Sequence, residues 1–154
     1  MPNHGTSFRD ALINEILAWQ IQGLTVYKEV FVGSRFVGQK RNVDIIVKYE
    51  FQNLIKTIGI EAKYQGGQGT AYQKLTYTVE DAKVSPIPIL IVFSGTGIKQ
   101  DVKSQLIASG IGIEVVWDHE NGLSDGIDIL KQRIQIELGL NWLLEQDNKI
   151  VVQE

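Results

Sequence analysis

Apolar positions change period along this 154-residue chain, and each change marks an element. From Ser7 onward, the spacing of Phe8, Ala11, Leu12, Ala18 and Trp19 predicts an amphipathic helix over 7–22. Ser7 with Asp10 three residues on gives a hydroxyl cap and an acid in the first turn, and Gly23 stops the helix. A meander of three strands follows; Lys28 lies on its first strand, and its second and third are Asn42–Val47 and Ile58–Lys63, β-branched and alternating. Residues 70–84 read as a helix after a Gly-rich turn. Ile87–Phe93 is a near-continuous apolar run, as expected of a strand buried on both faces. A helix over 99–109, a strand over 111–117 and a long helical pattern over 123–145 complete the chain. Ile127, Leu130, Ile134 and Leu138 form the last helix's stripe, and Gly139 is a point where it can break. Trp142, Leu143 and Leu144 at its end suit packing against its own sheet or against a partner subunit.

Charges sit where this pattern does not want them. Asp44 interrupts one apolar strand, and Glu61-Ala62-Lys63 ends the next. Charged groups are rarely buried unless paired or bound to a metal. Alternation puts Ile58, Ile60 and Ala62 on one face, and Gly59, Glu61 and Lys63 on the other. It puts Asp44 with Asn42 and Ile46. If the two strands are antiparallel neighbours, the three charged groups converge. The simplest chemistry using the set is a divalent cation held by two carboxylates beside an ammonium, which is equipment for hydrolysing a phosphodiester. The alternative is a salt bridge on a solvated sheet face. Glu15 falls at the centre of the first helix's apolar stripe and so faces inward, or else lies at the stripe's edge or pairs with an arginine.

Glu15 on a first helix, Asp44 on a strand and Glu61-x-Lys63 on the next resemble the PD-(D/E)xK nuclease superfamily, which includes restriction endonucleases, archaeal Holliday junction resolvases and RecB-type nucleases. The resemblance spans about residues 7–117, and Val43 stands where the family often has proline. Gln73-Lys74-Leu75-Thr76-Tyr77 resembles the QxxxY motif of the RecB-like branch. The resemblance implies an α/β fold, a restriction endonuclease-like three-layer sandwich with a central mixed sheet of about five strands flanked by helices. It implies Mg²⁺, with Mn²⁺ able to substitute, held by Asp44, Glu61 and the Ala62 carbonyl, with Glu15 holding a second ion or ordering water. Lys63 would orient the attacking water and stabilise the transition state; Gln73 would orient the site and Tyr77 would contact DNA.

Charge shifts the picture less than placement does. A net charge of −3 and a pI near 5.4 do not advertise a nucleic-acid binder. Yet Lys28, Arg35, Lys40 and Arg41 precede Asp44, and Lys63 and Lys74 follow it. Gathered round one cleft they would make a local positive field, with Gly33-Ser34-Arg35 and Gly38-Gln39-Lys40-Arg41 either an arm on phosphates or a solvated hairpin tip. The absence of cysteine excludes disulfides and thiolate metal sites, and His4 and His119 read as too few and too scattered to bind metal. With no long apolar run and no export signal, the expectation is a single cytoplasmic nuclease domain over 1–154 that meets no membrane. Its partner would be DNA, and one site cuts one strand, so duplex cleavage calls for a homodimer or higher oligomer. A site-specific restriction-type endonuclease ranks first and a junction resolvase second. Two rivals stay open: a phosphate binder using Ser94-Gly95-Thr96-Gly97, which lacks a third fingerprint glycine and a Walker lysine, and a non-catalytic DNA-binding module.

Overall fold

In the computed structural model, the protein is described over residues 4–34, 40–67 and 71–140, with the side chains at 34, 40 and 71–76 outside that description. The apolar run of the second half becomes strand β4 (Ile89–Ser94), buried along its whole length. Its even residues, Leu90 and Val92, enter one core and its odd residues, Ile91 and Phe93, enter another, which is why no polar position interrupts it. Before it come α1 (His4–Ala18), β1 (Leu24–Ser34), β2 (Lys40–Phe51), β3 (Leu54–Tyr64) and α2 (Ala71–Lys83). After it come α3 (Gln100–Ala108), β5 (Gly112–Glu114), β6 (Val116–Asp118), β7 (Gly122–Asp125) and α4 (Ile127–Glu137).

The main sheet has the order β1-β2-β3-β4-β5. Its first three strands form an antiparallel meander, and β3, β4 and β5 run parallel. One face packs against α1 and α4 through Phe8, Leu12, Ile16, Leu130, Ile134 and Leu138. The other packs against α2 and α3 through Val79, Ala82, Val102 and Leu106. Full burial of each large apolar side chain contributes roughly 1.5–3 kcal/mol. The result is the three-layer α/β sandwich with a mixed five-stranded sheet that the sequence leads one to expect. No helix among the described residues is long and apolar enough to cross a membrane.

Three elements differ from expectation. Helix α1 starts at His4 and ends at Ala18, so Ser7 lies inside it and caps nothing. Gln20 at φ 52 turns the chain out of the helix before Gly23 is reached. Ile16 is fully buried with Phe8 and Leu12 at helical spacing, while Ala18 is exposed. That rotates the stripe and leaves Glu15 on its flank. The strand expected over 111–117 divides at Val115: β5 stays in the main sheet, and β6 leaves to form a two-stranded ribbon with β7. Residues 122–125 are therefore strand, and the helix placed at 123–145 starts only at Ile127, after Gly126 at φ 81. Its end lies at Glu137, where Gly139 at φ 75 closes a left-handed cap with Leu140 N–H on the Gln135 carbonyl. Trp142, Leu143 and Leu144 lie outside the described residues.

Candidate active site

Both ladders that hold β2 are interrupted at Asp44. Pairing with β3 runs from Phe51↔Leu54 to Ile45↔Ile60 and stops. Beyond it the Asp44 carboxylate takes over, with Oδ2 accepting the Ala62 N–H at 2.8 Å. On the other side, Lys28↔Ile45 and Val30↔Val43 pair, but Glu29 and Asp44 between them do not. Glu29 sits at φ 55, the left-handed region, where a residue with a side chain is strained. The break also switches faces. Strict alternation would set Asp44 beside Asn42 and Ile46; instead Val43 packs with Ile46 and Ile89, and Asn42 is exposed.

The next strand keeps its alternation. Ile58, Ile60, Ala62 and Tyr64 face the α1 core. Gly59, Glu61 and Lys63 therefore face the opposite side, towards α2. A Cβ at Gly59 would lie 2.5 Å from Ile89 Cδ1 and 2.9 Å from Val43 Cγ1, so these side chains close over β3 where it carries none. Above this floor opens a cavity of about 350 Å³ between the sheet and α2. Glu61, Lys63, Arg41, Tyr77, Thr78 and Asp81 are among its lining residues. Glu61 is largely buried at 12 % exposure, Lys63 is 38 % exposed, and their charged ends stand 3.9 Å apart.

The fold thus brings Asp44, Glu61, Ala62 and Lys63 to one place. The donor set there is carboxylate and carbonyl oxygen, which suits a hard divalent cation such as Mg²⁺ and not a soft one. Among the described residues no three His, Cys, Asp or Glu side chains stand together as metal ligands. Two carboxylates with water and substrate oxygens completing the shell is the arrangement Mg²⁺ accepts.

Other expected site residues are placed differently. Glu15 is not brought among these carboxylates; its Oε1 accepts the Trp19 Nε1–H at 3.1 Å on the flank of α1. Arg41 is not in a flexible turn. It lies on β2, 4 % exposed, with Nη2 on Asp81 Oδ1 at 2.7 Å. Lys40 also belongs to β2, and Gln73 and Lys74 to α2, with their side chains outside the described residues, as is the whole of Arg35. Lys28 is exposed on β1, and Tyr77 is 53 % exposed. His4 and His119 are not scattered: their rings lie 5.5 Å apart, edge to face, beside Tyr64 and Trp117.

One feature had no signal in the sequence, and a second, read there as a candidate phosphate loop, has a structural role. Arg9 is buried under α1, with Nη1 on Glu29 Oε1 at 2.6 Å and Nη2 on Asp10 Oδ1 at 3.1 Å. Burial works against its charge, but the hydrogen bonds it donates to Asp10 and Glu29, with their negative charge, outweigh that and raise its pKa above the ordinary value. Arg9 therefore reaches from the helix to the residue opposite Asp44. The Ser94–Gly97 segment also has a structural role. Gly97 N–H donates to the Gln65 carbonyl at 2.8 Å, and a Cβ at Gly95 would stand 2.1 Å from that same oxygen. These glycines let the loop press against the chain leaving β3, and this accounts for them without a phosphate.

Comparison with known proteins follows the same line. A family model described as a PD-(D/E)XK nuclease superfamily domain matches residues 4–136. No curated protein matches. A solved crystal structure, of the protein of unknown function AF1548, is similar at 13 % identity and a TM-score of 0.48. The similarity covers 84 % of this chain, which spans 66 % of the length of that one.

Proposed function

Because this chain belongs to the PD-(D/E)XK nuclease superfamily, we propose that it is a Mg²⁺-dependent endonuclease that hydrolyses phosphodiester bonds in DNA. The observation that carries the reading is the bond from the Ala62 N–H to Asp44, which sets one carboxylate against the strand that presents Glu61 and Lys63. Asp44, Glu61 and the Ala62 carbonyl would hold the cation. When bound, it supplies activation of water and neutralisation of charge growing on the phosphate. Lys63 orients the attacking water and, being charged and close to the cleft, stabilises the extra negative charge of the transition state. Glu15 has no part in this reading, since Trp19 holds its carboxylate on the helix flank.

Lys28 and Tyr77, both exposed, are the residues we assign to DNA, Tyr77 at the cleft wall. One such site cuts one strand, so site-specific duplex cleavage of the restriction type would be the work of a homodimer. The test is incubation with supercoiled plasmid, linear DNA and a four-way junction in Mg²⁺, beside Lys63→Ala and an EDTA control. Discrete products from linear DNA support the restriction-type reading, and paired nicks at the junction support a resolvase. Cleavage that persists in EDTA or in Lys63→Ala overturns the proposed chemistry.

A further inference from the structure

We propose that Arg41 is a positioning residue: it clasps the C-terminal end of α2 and sets that helix over Glu61 and Lys63. The inference rests on the nuclease reading above and replaces a phosphate contact at Arg41 with a different role. Arg41 lies three residues before Asp44 on β2. Its Nη2 holds Asp81 Oδ1 at 2.7 Å, and its Nη1 donates to the Val84 carbonyl at 3.4 Å. Both partners belong to the last turn of α2 or the residue just past it. A planar guanidinium can grip a carboxylate and a carbonyl at once, as a lysine cannot. A positive charge at a helix C-terminus also complements the dipole.

Burial decides between the two roles. The Arg41 and Asp81 side chains are 5 % and 15 % exposed. Arg41 Nε is buried without a hydrogen-bond partner. A guanidinium so enclosed cannot lie along a DNA backbone. It can define a distance, because the cavity separates Tyr77 and Thr78 of α2 from Glu61 and Lys63 of β3. Apolar contacts also seat α2, through Val79 and Ala82. The clasp ties the wall of the cleft to the strand that carries Asp44. A buried ion pair is a poor source of net stability and a good source of fixed geometry.

The experiment uses Arg41→Met, Asp81→Leu and the double variant, measured three ways. Each single variant removes one half of a buried ion pair and should lower the melting temperature, and the double variant should recover it. With the fold restored, the double variant should still cleave plasmid about 10- to 100-fold more slowly, with the loss in turnover and little change in KM. Its α2 amides should exchange faster than those of the wild type. Arg41→Lys should recover part of the rate. The salt dependence of DNA binding in Ca²⁺ should keep its slope. Full cleavage by the double variant would overturn the clasp. A slope lower by about one would instead make Arg41 a phosphate contact. Should the wild type cleave nothing, the nuclease reading fails on its own, and amide exchange still decides the clasp: faster exchange in α2 supports it and unchanged exchange refutes it.

Discussion

Asp44 makes one hydrogen bond and carries one proposed role, and a single atom can separate them. Its carboxylate accepts the Ala62 N–H at 2.8 Å, where pairing between β2 and β3 has already ended. It is also one of the two carboxylates we assign to the cation. Asp44→Ala removes both. It deletes a hydrogen bond to a charged acceptor, a loss of about 1.5–3 kcal/mol. For a domain of this size, roughly 2–4 °C per kcal/mol makes that a fall of about 3–12 °C in melting temperature. Asp44→Asn keeps an oxygen facing the same N–H and removes only the charge, so about 1 kcal/mol and no more than about 4 °C should be lost. The cation separates the two tasks further. At a hundredfold excess over its Kd, a ligand bound only by the folded state stabilises by about 2.7 kcal/mol, or roughly 5–11 °C here. Wild type should show that rise on adding Mg²⁺, and Asp44→Asn should not. Circular dichroism melts with Mg²⁺ and with EDTA, beside plasmid nicking, read all of this. A Mg²⁺-dependent rise in Asp44→Asn equal to wild type would remove Asp44 from the metal site. Equal melting points for the Ala and Asn variants in EDTA would remove the structural bond.

The other predictions are shorter. Lys63→Ala should abolish cleavage yet leave Ca²⁺-supported DNA binding within a few-fold of wild type, by gel shift; retained cleavage would take Lys63 out of the chemistry. Gly59→Ala should destabilise by about 1–3 kcal/mol in denaturant melts, because its Cβ meets Ile89 and Val43. Adding Val43→Ala should recover part of that, and simple additivity of the two losses would show that they do not share the space. Asp118 is held below its ordinary 3.8, chiefly by the Asn121 backbone N–H, with the Asn121 side chain and Glu120 N–H adding to it. A depressed carboxylate supplies stability above its unfolded pKa and loses it as pH falls through the lower folded value. Asp118→Ala should therefore melt lower than wild type at pH 6, with the difference closing below about pH 4; a constant difference across that range would count against the turn as its source.

The parts of the fold legible in the sequence are those set by period. Ile58–Lys63 alternates and does so in the structure; Ile89–Phe93 is uniformly apolar and is buried on both faces. Period cannot report where a ladder breaks. Val43 and Ile45 look equivalent in sequence, yet they enter different cores because the chain rotates at Asp44. Glu29 stands in a strand of ordinary β-formers, and nothing in its neighbours announces a positive φ. Arg41 reads as surface charge next to a glycine-rich turn, but its partner Asp81 lies far along the chain, and only the packing of α2 joins them. Period leaves Glu15 either at the centre of α1's apolar stripe or at its edge; the burial of Ile16 turns the helix so that Glu15 lies at the edge and meets Trp19.

The contact between α1 and the candidate site then follows from strain. A residue with a side chain in the left-handed region costs on the order of 1–3 kcal/mol and persists only where its surroundings hold it. Glu29 is so held: Arg9, anchored by Asp10 on the same helix, reaches its carboxylate at 2.6 Å. That fixes the kink in β1 opposite Asp44. With the kink in place, Asp44 is not paired with Glu29 on β1, and the ladder with β3 has ended. Its side chain turns to the Ala62 N–H instead. Helix α1 packs on the face of the sheet opposite Glu61 and Lys63, and its arginine acts on the neighbouring strand. The helix shapes the site through Arg9, Glu29 and the break at Asp44, and this route is consistent with a buried arginine two helical turns before the end of α1's apolar stripe.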